Sequence, residues 1–295
     1  MKWKSLLLAV ALAVSASAQT VTAPVVVGNT IQFSMTDPLG TYAYTIPVVL
    51  SVTVGTASVA FTPVPPPPPP PPPPGITIPG NAIQIGIENR TNWIAVHDAG
   101  TPGAVQTIVN TYNATTGVRT HSMTYTGNGG TRWSVSLGSA AYDTVATHFV
   151  YDVFVTSPNW LQVKNLELDA NQVLANGDTV IYGMQCSMWS NTWEYTSTVG
   201  GTHWIPSNVP CNSTKFAPNS RHHFRLAYHR NSAGIVTYEG VEVDSVYSAL
   251  TGAVVNAAKA LGWPKGDLLF NVQTEGATAA GTTTILTDGL TIYRW

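Results

Sequence analysis

Charge is scarce in this chain. Of 295 residues only 13 are Lys or Arg and 15 are Asp or Glu. Phosphate binding needs clustered cations, so nucleic acid is excluded as a partner. Cysteine is scarcer still, with only Cys186 and Cys211. There is no C-x-x-C pair, no H-E-x-x-H helix and no G-x-S-x-G elbow. Those gaps remove zinc-finger, metalloprotease and α/β-hydrolase chemistry. No apolar run is long enough to span a bilayer as a helix.

What is present begins with an export signal. Lys2 and Lys4 precede the apolar run Leu6–Val14, and Ala16-Ser17-Ala18 reads as a small-residue cleavage site before Gln19. Residues 1–18 are therefore expected to be a signal peptide, bacterial in type. The mature chain is expected to be secreted, extracellular or at the cell surface, with the periplasm as the alternative. Losing Lys2 and Lys4 takes the basic count from 13 to 11 against 15 acidic residues, a net charge of −4. In an oxidising compartment Cys186 and Cys211 are expected to pair, closing a loop worth about 3 kcal/mol.

Composition divides the rest into three. Residues 19–62 hold short β-prone runs separated by the turn signals Gly28-Asn29 and Asp37-Pro38, and are read as a small, Ig-like β segment. Residues 63–74 include the unbroken run Pro65–Pro74, read as a semi-rigid polyproline II linker. Residues 75–295 alternate in many short strands rich in Thr, Val and Tyr, the pattern of a two-sheet sandwich. Only Tyr247–Leu261, rich in Ala and Val, reads as a helical or loop-like stretch.

Two long patterns resemble one superfamily. Arg221-His-His-Phe-Arg-Leu-Ala-Tyr-His229 followed by Val236-Thr-Tyr-Glu-Gly-Val-Glu-Val243 is similar to a strand pair of the concanavalin A-like jelly rolls. Asp288-Gly-Leu-Thr-Ile-Tyr-Arg-Trp295 looks like their terminal strand. The resemblance covers the main domain and implies an all-β jelly-roll sandwich. It does not choose among lectins, hydrolases, lyases and adhesion modules.

Glu167-x-Asp169-x-x-Gln172 is similar to the catalytic strand Glu-x-Asp-x-x-Glu of the laminarinase-like glycoside hydrolases, and to the shorter Glu-x-Asp-x-Glu form. The resemblance implies that Glu167 holds the nucleophile position and Asp169 the assisting one. The acid/base position falls on Gln172 in the longer spacing or Asn171 in the shorter. Both are amides, which neither donate a proton near neutral pH nor act as a general base. Glu194, on an adjacent-reading strand, is the one replacement acid the sequence offers.

The expected function is therefore polysaccharide or glycan binding without catalysis. The alternatives are a glycoside hydrolase or polysaccharide lyase using Glu167 and Asp169, and a structural adhesion domain with no sugar site. Expected sugar contacts are Glu167, Asp169 and Asn171 on the strand, with Trp189, Trp193 and Trp204 around it. Aromatic faces meet the apolar face of a sugar ring, and amides or carboxylates meet its hydroxyls. Asp98, Asp143 and Asp178 are read as turn residues rather than calcium ligands. The neighbours His222 and His223 point to opposite faces of a strand and are read as structural. No cofactor or metal is assigned.

Overall fold

The computed structural model describes residues 75–98, 100–138, 143–197 and 203–295, without the side chain of His203, and the backbone of five earlier strands. The expected signal peptide, and the expected linker apart from Pro63, lie outside the described residues. The chain divides into two compact units, Met1–Pro72 and Pro73–Trp295.

In the first unit, β1 (Thr20–Val21), β2 (Val25–Val27), β3 (Thr30–Asp37), β4 (Gly40–Val52) and β5 (Val59–Pro63) form one antiparallel sheet. Val27 pairs with Thr30 and Asp37 with Gly40, while the turn-signal residues Gly28, Asn29 and Pro38 lie outside the described residues.

The second unit is a jelly-roll sandwich of two antiparallel sheets. One runs in the order β15 (His203–Pro210), β14 (Thr192–Ser197), β13 (Asp178–Ser187), β12 (Val163–Val173), β21 (Leu268–Gly276), β10 (Gly130–Ser136) and β7 (Ile94–His97), with β20 (Ala258–Ala260) also on β13. The other runs β18 (Val246–Ala249), β17 (Ile235–Val243), β16 (Arg221–Arg230), β11 (His148–Thr156), β22 (Ala280–Arg294), β9 (Val118–Thr126) and β8 (Ala104–Asn113). Here β19 (Val254–Asn256) also joins β17, and β6 (Ile83–Gly86) joins β22.

Alternation along each strand builds the core. Leu166, Leu168 and Ala170 of β12 point inward, as do Trp133 and Val135 of β10, and Phe224, Leu226 and Tyr228 of β16. Large aromatics fill the space between the sheets: Tyr182 stacks on Tyr228, and Trp193 meets Phe224 edge to face. The disulfide Cys186–Cys211 is formed, tying β13 to the chain just after β15.

Among the described residues there is no α-helix, and Tyr247–Leu261 departs from the helical reading. Its Ala- and Val-rich pieces form β18, β19 and β20, which complete the edges of β17 and β13. Unpaired backbone at those edges outweighs the modest helix propensity of alanine.

Candidate functional site

The strand β12 lies in the middle of its sheet and is buried along its whole length. Its partners β13 and β21 run in unbroken register from Asn165 to Gln172. Asn165, Glu167, Asp169 and Asn171 therefore share the outer face of the sheet, opposite the core. Cross-strand pairing sets polar neighbours beside them. Gln273, Glu167, Gln185 and Glu194 form one row across the sheet, and Asn271, Asp169 and Gly183 the next.

These rows are cross-linked. The Asn165 amide donates to Gln185 Oε1 at 2.8 Å and to Glu275 Oε1 at 3.1 Å. Gln185 in turn donates to the Glu194 carboxylate. Lys164 pairs with Glu275, and its ammonium stands 4.5 Å from the centre of the Trp189 ring. Trp189 is 69% exposed, so this cation–π contact sits at the rim of the face.

Glu167 and Asp169 stand two residues apart on the same face of β12, and Asp169 Oδ1 is buried without a hydrogen-bond partner. Both are nearly buried, at 8% and 5% exposure. Burial, then the neighbouring Asp169 charge, raise the Glu167 pKa well above the ordinary carboxylate range. Burial also raises Asp169, to about 6, although hydrogen bonds from Glu167 and Asn271 act against the shift. Two like charges side by side in a dry site cannot both ionise cheaply, so the pair holds a proton near neutral pH.

Trp204 joins the same face by a longer route. On β15 it pairs with Thr196 of β14, whose side chain lies against Gly183 of β13. A Cβ on Gly183 would stand 2.6 Å from Thr196 Cγ2, 3.0 Å from Asp169 Oδ1 and 3.4 Å from Trp204 Cη2. The indole therefore borders the open position at Gly183, on the same face as Asp169, and is half-buried. At the opposite edge of the sheet, Ile94 and Val96 of β7 present exposed apolar side chains on this face.

Two expected residues lie elsewhere. Trp193 is 1% exposed and sits in the core, because β14 alternates and Glu194 takes the outer face. It cannot offer a ring to a ligand. Gln172 also faces the core. It accepts from Arg230 Nε at 2.8 Å and from the Tyr182 hydroxyl at 3.2 Å, and donates to the Ala146 carbonyl at 3.0 Å. The longer catalytic spacing needs a bulge to return its last residue to the outer face, and β12 has none there. Of the two amides Asn171 and Gln172, only Asn171 lies on the outer face.

Glu194 lies on the face, two strands from Glu167, which places their Cα atoms about 9.5 Å apart. Asp98 and Asp143 cap local backbone amides, and Asp178 bonds Asn176 across a turn. His222 bonds Asp244 and Ser220, while His223 bonds Asp152 on the other side of β16. The amides Asn271, Gln273 and Gln185 escaped sequence reasoning. For two of them a signal was there, since Asn271-Val-Gln273-Thr-Glu275 alternates just as Glu167-Leu-Asp169 does.

No family model matches the chain, and no curated protein matches it in sequence. Among solved structures it is similar to the Bacillus licheniformis β-glucanase, at 10% identity and TM-score 0.36, over 73% of this chain and 98% of that one. It is also similar to the lectin UEA-II complexed with galactose, at 10% identity and TM-score 0.33, over 72% and 97% of the two chains. The carbohydrate-binding module CBM66 from Bacillus subtilis gives 9% identity and TM-score 0.32, over 64% and 94%. Likenesses this distant bear on fold alone.

Proposed function

We propose that the outer face of the β12 sheet binds a polysaccharide or glycan without cleaving it. One observation carries the reading: a Trp204 ring atom and an Asp169 carboxyl oxygen both lie within 3.4 Å of where a Cβ on Gly183 would stand. An aromatic plane next to hydrogen-bonding groups matches the two-sided chemistry of a sugar ring. Asn171, Asn271, Gln273 and Gln185 add amides that donate and accept, suited to hydroxyls. Trp189 extends the aromatic surface at the rim.

The chemistry of the acidic pair supports binding over hydrolysis. Burial and the Asp169 charge raise the Glu167 pKa well above the ordinary carboxylate range, which disfavours the ionised form that a nucleophile needs. Asn171 supplies neither acid nor base. Hydrolysis keeps one observation in its favour. Glu194 is a second carboxylate on the face, in the same cross-strand row as Glu167.

A glycan array with wild type, Trp204→Ala and Glu167→Gln, followed by reducing-sugar assays on every hit, tests both. Binding without sugar release, weakened about tenfold or more in Trp204→Ala, is expected. Sugar release that Glu167→Gln abolishes would establish hydrolysis instead. Absence of binding to any glycan sinks both sugar readings.

A further inference from the structure

The opposite side of the sandwich carries a separate cluster of ligating groups. His148 opens β11 and is the direct cross-strand partner of His229 on β16. Glu239 lies on β17, the next strand, two residues beyond the Thr237 that pairs with His229. The neighbours Phe149, Tyr228, Arg230 and Tyr238 are buried toward the core, so all three side chains project from the outer face of the second sheet. One ligand atom from each lies within 4.8 Å of the others.

We propose that His148, His229 and Glu239 form a binding site for a transition-metal dication, with zinc the fitting ion. Two imidazoles and one carboxylate are a recurrent zinc donor set, and imidazole favours zinc, copper and nickel over magnesium or calcium. Tetrahedral ligands at about 2.0–2.2 Å from the ion stand about 3.3–3.5 Å from each other. Rotation of the exposed Glu239 side chain and of His229 covers the difference, because the three strands already fix their backbones.

The surroundings prepare the site. A 2.9 Å hydrogen bond joins His148 Nδ1 to Thr147 Oγ1, leaving Nε2 for a metal and fixing the ring as an outer-shell partner does. The His148 ring is stacked between His229 and Trp295, with centroids 5.1 and 5.2 Å away. That sandwich holds the ring in place before any ion arrives. His229 Nδ1 and Glu239 Oε1 are 2.6 Å apart, so the carboxylate already points at the imidazole. Three protein ligands leave a fourth position for water or an exogenous donor.

Calorimetric titration of the metal-free full chain with zinc chloride tests the site, independently of any sugar bound on the other sheet. One equivalent of zinc is expected to bind, with a higher melting temperature in its presence. His148→Ala and His229→Ala should abolish the uptake. Glu239→Gln, an exposed change that leaves packing intact, should weaken it about tenfold or more. His223→Ala, removed from the cluster, should bind as wild type does. Unchanged affinity in His148→Ala and Glu239→Gln, or no uptake by wild type from millimolar zinc, overturns the proposal and leaves a hydrogen-bonded His–Glu pair.

Discussion

Trp204 stands over Gly183, its Cη2 atom 3.4 Å from where a β-carbon would sit. The indole of one strand thereby packs against the position that the side chain of another leaves open. Replacing Gly183 by Ala drives a methyl to 2.6 Å from Thr196 Cγ2 and 3.0 Å from Asp169 Oδ1. Neither Thr196 nor Asp169 has room to retreat, since both are nearly buried. Gly183→Ala should lower stability by about 1–3 kcal/mol and displace Trp204 from the face. Urea unfolding measures the first effect, and tryptophan emission together with glycan affinity the second. Unchanged emission and affinity would mean the indole does not depend on the gap.

The two tryptophans of neighbouring strands should part company on mutation. Trp193 fills the core against Phe224, so Trp193→Ala should cost about 3–5 kcal/mol. Its effect on glycan affinity should not exceed its effect on the folded fraction. Trp204→Ala should show the reverse, with modest destabilisation and a large loss of binding. Denaturation curves paired with affinity measurements separate the two, and equal effects at both positions would contradict the burial pattern.

The proton held between Glu167 and Asp169 has a signature in pH. Both folded-state pKa values lie above their unfolded ones, Asp169 moving from 3.8 to about 6 and Glu167 well upward. In that window the folded state binds more protons than the unfolded state. Stability from this pair is therefore fully present at pH below about 4, and is lost as pH rises through 6 and beyond. Glu88, raised to about 7 chiefly by burial, slopes the same way. His121, driven down to about 3 by burial and Arg119, slopes the other way, losing stability as pH falls below its unfolded value of 6.5. Subtracting wild type from Asp169→Asn cancels those two groups. The variant should gain relative stability steadily from pH 4 to pH 8 in denaturant titrations. A flat difference would mean that the carboxyls do not share a proton.

Strand identity was legible in the sequence where alternation was strong, and so was the facing of Glu167, Asp169 and Asn171. The same rule, carried one residue further, turns Gln172 into the core. A motif spacing that assumes a bulge pointed the other way, and no local feature of Ala170-Asn171-Gln172 announces whether a bulge forms. Trp193 was legible in principle, because Glu194 outward forces Trp193 and Tyr195 inward. Aromatic density in the segment hid that parity. The place of Trp204 was not legible, since it depends on three strands pairing in a particular register and on a glycine two strands away. Nor were β18 to β20, whose strand form depends on edges that exist only once β17 and β13 are in place.

The disulfide should matter to stability more than to shape. Cys186 is fully buried on β13, and its partner Cys211 lies 25 residues on. A loop of that size is worth about 3–3.5 kcal/mol on the chain-entropy model. The double variant Cys186→Ala, Cys211→Ser should fold, with stability lower by about that amount. Chemical denaturation checks the magnitude, and far-UV circular dichroism checks that the sheets survive.

Gln172 decides between two descriptions of the strand. If β12 bulged as the longer motif requires, Gln172→Glu would place a carboxyl on the outer face and could confer hydrolysis. In the structure it places a carboxyl opposite Arg230, a buried cation whose guanidinium now donates to the Gln172 amide oxygen at 2.8 Å. Gln172→Glu should therefore fold as an ion pair and release no sugar. Gln172→Leu, which strips Arg230 and Tyr182 of their acceptor, should destabilise by about 2–3 kcal/mol. Asn171→Glu is the substitution that adds a carboxyl beside Asp169 on the face. Reducing-sugar assays and unfolding curves on the three variants read this out. Sugar release by Gln172→Glu would return that residue to the outer face and with it the catalytic reading of the strand.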